Sequence, residues 1–186
     1  MARRPAMTEF LYEAGQALTR VQGPGRDVAD QTIRRWATES DAGNPPQALP
    51  VCDWIAPALS LNATPLARAF GSLVPDLHWQ RRQSARPEDA AFWNGHANAM
   101  ILGPGGLESR SDLWIGATVM APGVVYDIHT HPPAEIYLPL SPGEWWNADM
   151  PWTDPGVDGF IFNPPGIQHA MRAGTTPFLA LWFLPI

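Results

Sequence analysis

Three of the five histidines fall in two short windows of the chain. The first window runs from Gly123 to Tyr137 and holds Tyr126, His129, His131, Glu135 and Tyr137. The second runs from Gly159 through Pro164, Pro165 and Gly166 to His169. His129 and His131 are two apart, so on a strand both rings point to one face. Glu135 can return to that face after a short bend at Pro132 and Pro133, and His169 must arrive from another strand. Three neutral imidazoles and one carboxylate suit one divalent transition metal ion, and Zn, Fe, Mn and Ni all satisfy that donor set. Four protein ligands leave one or two positions for water or substrate.

The two tyrosines in the first window are the candidate acid–base groups. A free phenol ionises near pH 10, and a nearby cation favours the phenolate. Tyr137 shares strand parity with Glu135 and should face the metal. Tyr126 has the opposite parity to His129 on a regular strand, so a bend or bulge before His129 is needed to turn it inward. Lys is absent and all twelve basic residues are Arg, which closes Schiff-base and lysine-base mechanisms. Nine Trp stand against three Tyr. Trp114, Trp146 and Trp182 lie in expected strands and are the candidates for holding a desolvated organic cation. Asp127 and Glu144 read as structural or solvent-facing, and His78 and His96 as core or lid residues.

The elements that must position these groups divide the chain in two. Phe10, Leu11, Ala14, Leu18 and Val21 form an amphipathic helical stripe that Gly23, Pro24 and Gly25 end. A second helix is expected from Asp27 to about Glu39 and a third from about Asn62 to Leu73. From about Leu77, short strand-like runs alternate with turn residues. The expected strands are Leu77–Gln83, Ala97–Leu102, Leu113–Met120, Glu135–Leu140, Glu144–Ala148, Gly159–Phe162, Gln168–Arg172 and Phe178–Leu184. Many short strands at this spacing predict a sandwich or small barrel. The expected organisation is a helical extension over residues 1–75 and a barrel over 76–186. The helical stripes are expected to cover the barrel mouth or a subunit interface.

The 186 residues suffice for one sizeable core, and a net charge of −6 argues against a nucleic-acid partner. No apolar run is long enough to span a membrane. The basic start Met1 to Met7 lacks the apolar stretch of a secretory signal, so a cytoplasmic location is the default expectation. A single Cys, Cys52, excludes an internal disulfide or thiolate cluster and reads as a small buried apolar residue.

At the two windows the chain resembles the cupin superfamily. The first window is similar to the motif G-x5-H-x-H-x3-E-x6-G, with its closing glycine displaced by one to Gly143. The second is similar to G-x5-P-x-G-x2-H-x3-N, with a shorter first gap and Ala173 in place of the Asn. The departures spare all four ligands. The resemblance implies a mainly β fold, a double-stranded β-helix (jelly-roll) barrel with a helical N-terminal extension and the metal inside. The combination Tyr126, His129, His131, Glu135 and Tyr137, with His169 downstream, further resembles the cupin-type dimethylsulfoniopropionate lyases, most of all the Q-type enzymes.

That resemblance implies a metal-dependent β-elimination that releases dimethyl sulfide and acrylate from a small sulfonium carboxylate. It implies a metal that stabilises charge on the substrate carboxylate and a base drawn from Tyr126 and Tyr137. Two other readings share the barrel, a non-haem iron oxygenase and a non-enzymatic cupin that binds a small ligand. Oligomeric state is open, a homodimer included.

Overall fold

The computed structural model describes residues 3–36 and 41–186. Among the described residues the α-helices are α1 (Pro5–Leu18), α2 (Arg26–Arg35), α3 (Ile55–Ser60), α4 (Pro65–Gly71) and α5 (Ala90–Gly95). Twelve strands follow the order β1 (Asp41–Ala42), β2 (Trp79–Gln80), β3 (His96–Leu102), β4 (Glu108–Ser109), β5 (Leu113–Met120) and β6 (Val125–His129). The rest are β7 (Glu135–Pro139), β8 (Glu144–Asn147), β9 (Met150–Thr153), β10 (Ile161–Asn163), β11 (His169–Arg172) and β12 (Phe178–Pro185). Among the described residues they form an eight-stranded sheet, β1-β4-β3-β5-β12-β7-β10 with β2 on β3, and a four-stranded sheet, β6-β11-β8-β9.

The expected strand at Leu77–Gln83 is much shorter, reduced to Trp79 and Gln80, and β4, β6 and β9 were not among the expected runs. The second helix ends at Arg35, and its expected end at about Glu39 lies outside the described residues. The third expected helix is α4, which Thr64 caps by accepting the Ala67 N–H at 3.3 Å; Pro65 follows at the first helical position.

The large sheet is buried on both faces, and strand alternation gives each face a different task. On β5, Leu113, Ile115, Ala117 and Val119 join the core shared with the helices, whereas Trp114 and Thr118 face a cavity between the sheets. On β12, Leu179, Leu181 and Phe183 face the helices, and Trp182 and Leu184 face the cavity. On β7, Ile136 and Leu138 face outward while Glu135 and Tyr137 face inward. Double burial explains why β5 and β12 read as nearly continuous apolar runs rather than as polar–apolar alternation.

The helical stripes, expected at the barrel mouth or a subunit interface, instead pack within the chain's own core and contribute no residue to the cavity. The helices form an outer layer, with α2 across β12 and β7 and α1 against α4. Every residue lining the cavity lies at or after Arg82. One apolar cluster runs from Met7 and Phe10 of α1 through Phe70 of α4 to Phe183 of β12. The Arg3 guanidinium adds a two-point ion pair to Glu108 of β4, at 2.6 and 2.8 Å.

Removing residues before Pro50 is accordingly expected to expose the outer face of β12 and abolish cooperative folding, not merely to alter kinetics. A truncated protein with the parental melting temperature would contradict this.

Candidate active site

Both sheets contribute to the site. His129 on β6 pairs directly with His169 on β11 in the small sheet. Glu135 opens β7 in the large sheet, opposite Asn163 of β10. Between His129 and Glu135 the chain leaves the small sheet and joins the large one. His131 therefore sits in the connecting loop rather than on a strand, and strand parity is not what aims it. The β6–β11 register shifts between His129 and Tyr126, which pair with His169 and Met171. The extra residue on β6 is a bulge, and it turns Tyr126 onto the same side as His129.

Each histidine is fixed by a backbone carbonyl. Nδ1 of His129 donates to the Asp127 carbonyl at 2.9 Å, Nδ1 of His131 to that of Pro133 at 2.9 Å, and Nδ1 of His169 to that of Ile167 at 3.0 Å. A carbonyl only accepts, so all three protons sit on Nδ1 and the Nε2 lone pairs are left for a ligand. The candidate donor atoms of the three rings lie within 4.8 Å of one another. Glu135 Oε2 is 3.2 Å from Nε2 of His131 and 3.3 Å from Nε2 of His169. Nε2 of His169 is buried yet makes no well-aligned hydrogen bond. Glu135 is itself held by the Asn163 amide at 3.3 Å, and Asn147 in turn donates to Asn163 at 3.0 Å. A buried acceptor atom without a partner, facing other acceptors, is what a cation would satisfy. The residues present fit a divalent transition metal ion.

Electrostatics differ from one donor to the next. Burial and the neighbouring His169 push the His129 imidazole down to about 3, so it stays neutral and able to coordinate. Burial would raise the Glu135 carboxyl, but the adjacent His131 and His169 rings outweigh it and hold it ionised, with its pKa down at about 2. Burial alone would lower His131, and the Glu135 carboxylate reverses that.

The cavity around these groups measures about 210 Å³. Arg82, Asn98, Thr118, Tyr126, Tyr137, Trp114 and Trp182 line it with the ligand candidates His129, His131 and Glu135. A hydrogen-bond chain crosses its wall. The Trp182 indole donates to Thr118 Oγ1 at 3.2 Å, Thr118 donates to Asn98 Oδ1 at 2.7 Å, and Asn98 Nδ2 donates to the Tyr126 oxygen at 3.1 Å. Because Thr118 occupies the Asn98 carbonyl, the amide must present its N–H to Tyr126. The Trp182 ring lies against Gly116, where a Cβ would stand 2.2 Å from it. Trp114 lines the cavity with an indole N–H that has no partner.

Trp146 is not among the lining residues. It alternates on β8 with Trp145, which turns inward and packs on Tyr137 and Phe178. Glu144 pairs with Arg172 at 2.7 Å, away from the cavity. His78 binds the Pro45 carbonyl. His96 is fully buried against Phe92 and Tyr126. Sequence reasoning missed Arg82, Asn98, Thr118 and Asn163. Asn98 and Thr118 did carry a signal, since each interrupts an otherwise apolar strand.

Two mainly antiparallel sheets closed around an inward cluster of three histidines and a glutamate define a cupin. The chain belongs to the dimethylsulfoniopropionate (DMSP) lyase family, whose family model matches residues 24–180, and it is a lyase. It is similar in structure to the crystallised DMSP lyase DddQ from Ruegeria pomeroyi DSS-3, with 22% identity and a TM-score of 0.79 over 99% of this chain and 93% of that one. It is also similar to a chain from the crystal structures of the DMSP lyases RdDddP and RnDddQII, with 24% identity and a TM-score of 0.76 over 97% and 92%. At these identities the likeness is one of fold. No curated protein matches the chain by sequence. Among the described residues no helix is long and apolar enough to cross a membrane.

Two outcomes follow. His129→Ala, His131→Ala and His169→Ala should each lower bound metal by at least about tenfold while the fold persists, measured by elemental mass spectrometry on purified protein. Full occupancy in all three would remove the assignment. Gly116→Ala should force Trp182 off β5 and shift tryptophan fluorescence, with metal retained; an unchanged spectrum would show that the ring is not held there.

Proposed function

We propose that this chain cleaves dimethylsulfoniopropionate to dimethyl sulfide and acrylate by a metal-dependent β-elimination, with Tyr126 as the general base. The observation that carries the assignment of the base is the unequal surroundings of the two buried tyrosines. The Tyr126 oxygen receives the Asn98 N–H at 3.1 Å, and the Arg82 guanidinium lies 5.2 Å from its ring centre. Tyr137 has the Glu135 carboxylate beside it.

Burial raises the Tyr126 phenol above its ordinary value, and Arg82 and Asn98 oppose that rise. Burial raises Tyr137 much further, and the Glu135 charge adds to the rise instead of offsetting it. Glu135 raises both phenols, but at Tyr126 the donors Arg82 and Asn98 offset part of the rise, whereas at Tyr137 the adjacent carboxylate favours a phenol that keeps its proton. Tyr137 thus suits an orienting role, with its hydroxyl donating to Glu135.

His129, His131, His169 and Glu135 are the residues that would hold the metal. A divalent ion bound by them supplies Lewis-acid stabilisation of charge on the substrate carboxylate. The protein's own residues do the rest. Tyr126 takes the proton from the carbon next to the carboxylate. The C–H pair becomes the new C=C bond, and the C–S pair leaves with sulfur as dimethyl sulfide. No electrons are exchanged with an outside acceptor, so the reaction needs no oxygen. Trp114 and Trp182 offer aromatic faces to the sulfonium end, which a cation tolerates better than an aliphatic wall. Trp146, off the cavity wall, has no part in this reading.

The test is headspace chromatography on purified, metal-loaded protein. Dimethyl sulfide and acrylate should appear in equal amounts, with and without oxygen. Tyr126→Phe should keep its metal and lose about 10²- to 10⁴-fold in kcat, the usual cost of removing a general base. Tyr137→Phe should lose less, with part of the loss in KM. Oxygen-dependent turnover would point to an oxygenase instead, and a Tyr126→Phe variant with near-parental kcat would displace the phenolate from the mechanism.

A further inference from the structure

Most arginine side chains of this protein have visible work. Arg3, Arg4, Arg26, Arg110 and Arg172 each pair with a carboxylate. Arg81 donates to the Trp93 carbonyl at 2.6 Å and lies over the Trp93 ring. Arg82 is different. It lines the active cavity, yet among the described residues no carboxylate comes within 4.0 Å of its guanidinium. Asp89 and Asp127 share an outer pocket with it and still form no ion pair.

Its backbone is nonetheless held in place. β2 ends two residues earlier, with Gln80 opposite Asn98 of β3. The Arg82 N–H donates to Nε2 of His96 at 3.0 Å. The other nitrogen of that buried ring donates to the Phe92 carbonyl, and the ring stacks on Phe92 at 3.6 Å. His96 is thereby fixed as the tautomer that accepts from Arg82. A cation without a carboxylate partner, anchored through its backbone and lying over Tyr126, has the features of a preformed anion site.

We propose that Arg82 binds the carboxylate of the substrate and so sets both the orientation and the chemical class of what the cavity accepts. The proposal rests on the lyase reading above. Dimethylsulfoniopropionate carries a carboxylate at one end and a sulfonium at the other. The guanidinium fork matches a carboxylate in two places and repels a sulfonium. Attraction and repulsion therefore select one orientation, with the sulfonium turned toward the tryptophans. The carbon that loses its proton is bonded directly to the carboxylate carbon. Holding the carboxylate at Arg82 thus brings that proton to the neighbouring Tyr126 oxygen. Arg82 is a binding and specificity residue here, and it transfers no proton.

The experiment uses full-length, metal-loaded protein and two variants, Arg82→Met and Arg82→Lys. Propionate, an anion with no sulfonium, and the carboxamide of the substrate, a sulfonium with no carboxylate, serve as calorimetric probes. Steady-state kinetics with dimethylsulfoniopropionate run alongside. Arg82→Met should weaken propionate binding and raise KM by roughly 10- to 100-fold, the worth of a lost pair of charge-assisted hydrogen bonds. The kcat should fall as well, because Arg82 also favours the Tyr126 phenolate, so propionate affinity is the deciding readout; affinity for the carboxamide should not fall. Arg82→Lys keeps the charge without the fork and should lie between parent and Met; it decides the matter if the Met variant does not fold. Parental propionate affinity in a folded variant would overturn the proposal while leaving the lyase reading intact. A parent that binds propionate through Arg82 yet releases no dimethyl sulfide would overturn the lyase reading instead.

Discussion

The site depends on a sheet that is buried on both faces. A strand side chain goes to one face or the other, with nothing between. Because the helices pack on the outer-face residues Leu113, Ile115, Leu181 and Phe183, the inner positions Trp114, Thr118, Tyr137 and Trp182 are released from holding the layers together. They can be polar or aromatic without weakening that packing. The same constraint fixes them tightly, since a register slip of one residue would put Leu181 in the cavity and Trp182 under α2.

The second constraint is the fate of the histidine protons. Each ring has one nitrogen bonded to a carbonyl two residues away in sequence, so the other is left as a bare acceptor. Holding such acceptors near a buried carboxylate costs free energy unless a cation joins them. The tyrosines extend this asymmetry. One faces donors and the other a carboxylate, and chemically identical phenols acquire different roles from their surroundings.

Much of this was legible in the sequence. The histidines, Glu135 and the two tyrosines stood out because residue type and spacing coincided, and the structure gathers them in one place. Why they converge was less legible. Spacing alone places His129 and His131 on one strand face, whereas His131 reaches the site from a loop between sheets. Tyr126 needed a bulge, which a period-two reading can require but not locate. Trp146 failed as a cavity residue because the pair Trp145–Trp146 leaves open which ring faces inward. The helical layer was legible as amphipathic, but a stripe says that a face is buried and not against what. Arg82 had no local signature, since its meaning comes from the absence, among the described residues, of a carboxylate around it in three dimensions.

The central claim is that one metal ion, held by His129, His131, His169 and Glu135, makes this lyase active on dimethylsulfoniopropionate. Adding a divalent metal stepwise to metal-stripped protein, while following dimethyl sulfide release, tests it most directly. The account predicts negligible release at the start, a rise in proportion to metal bound and a break at one ion per chain. Full activity in the stripped protein, or activity that ignores the metal added, would contradict it.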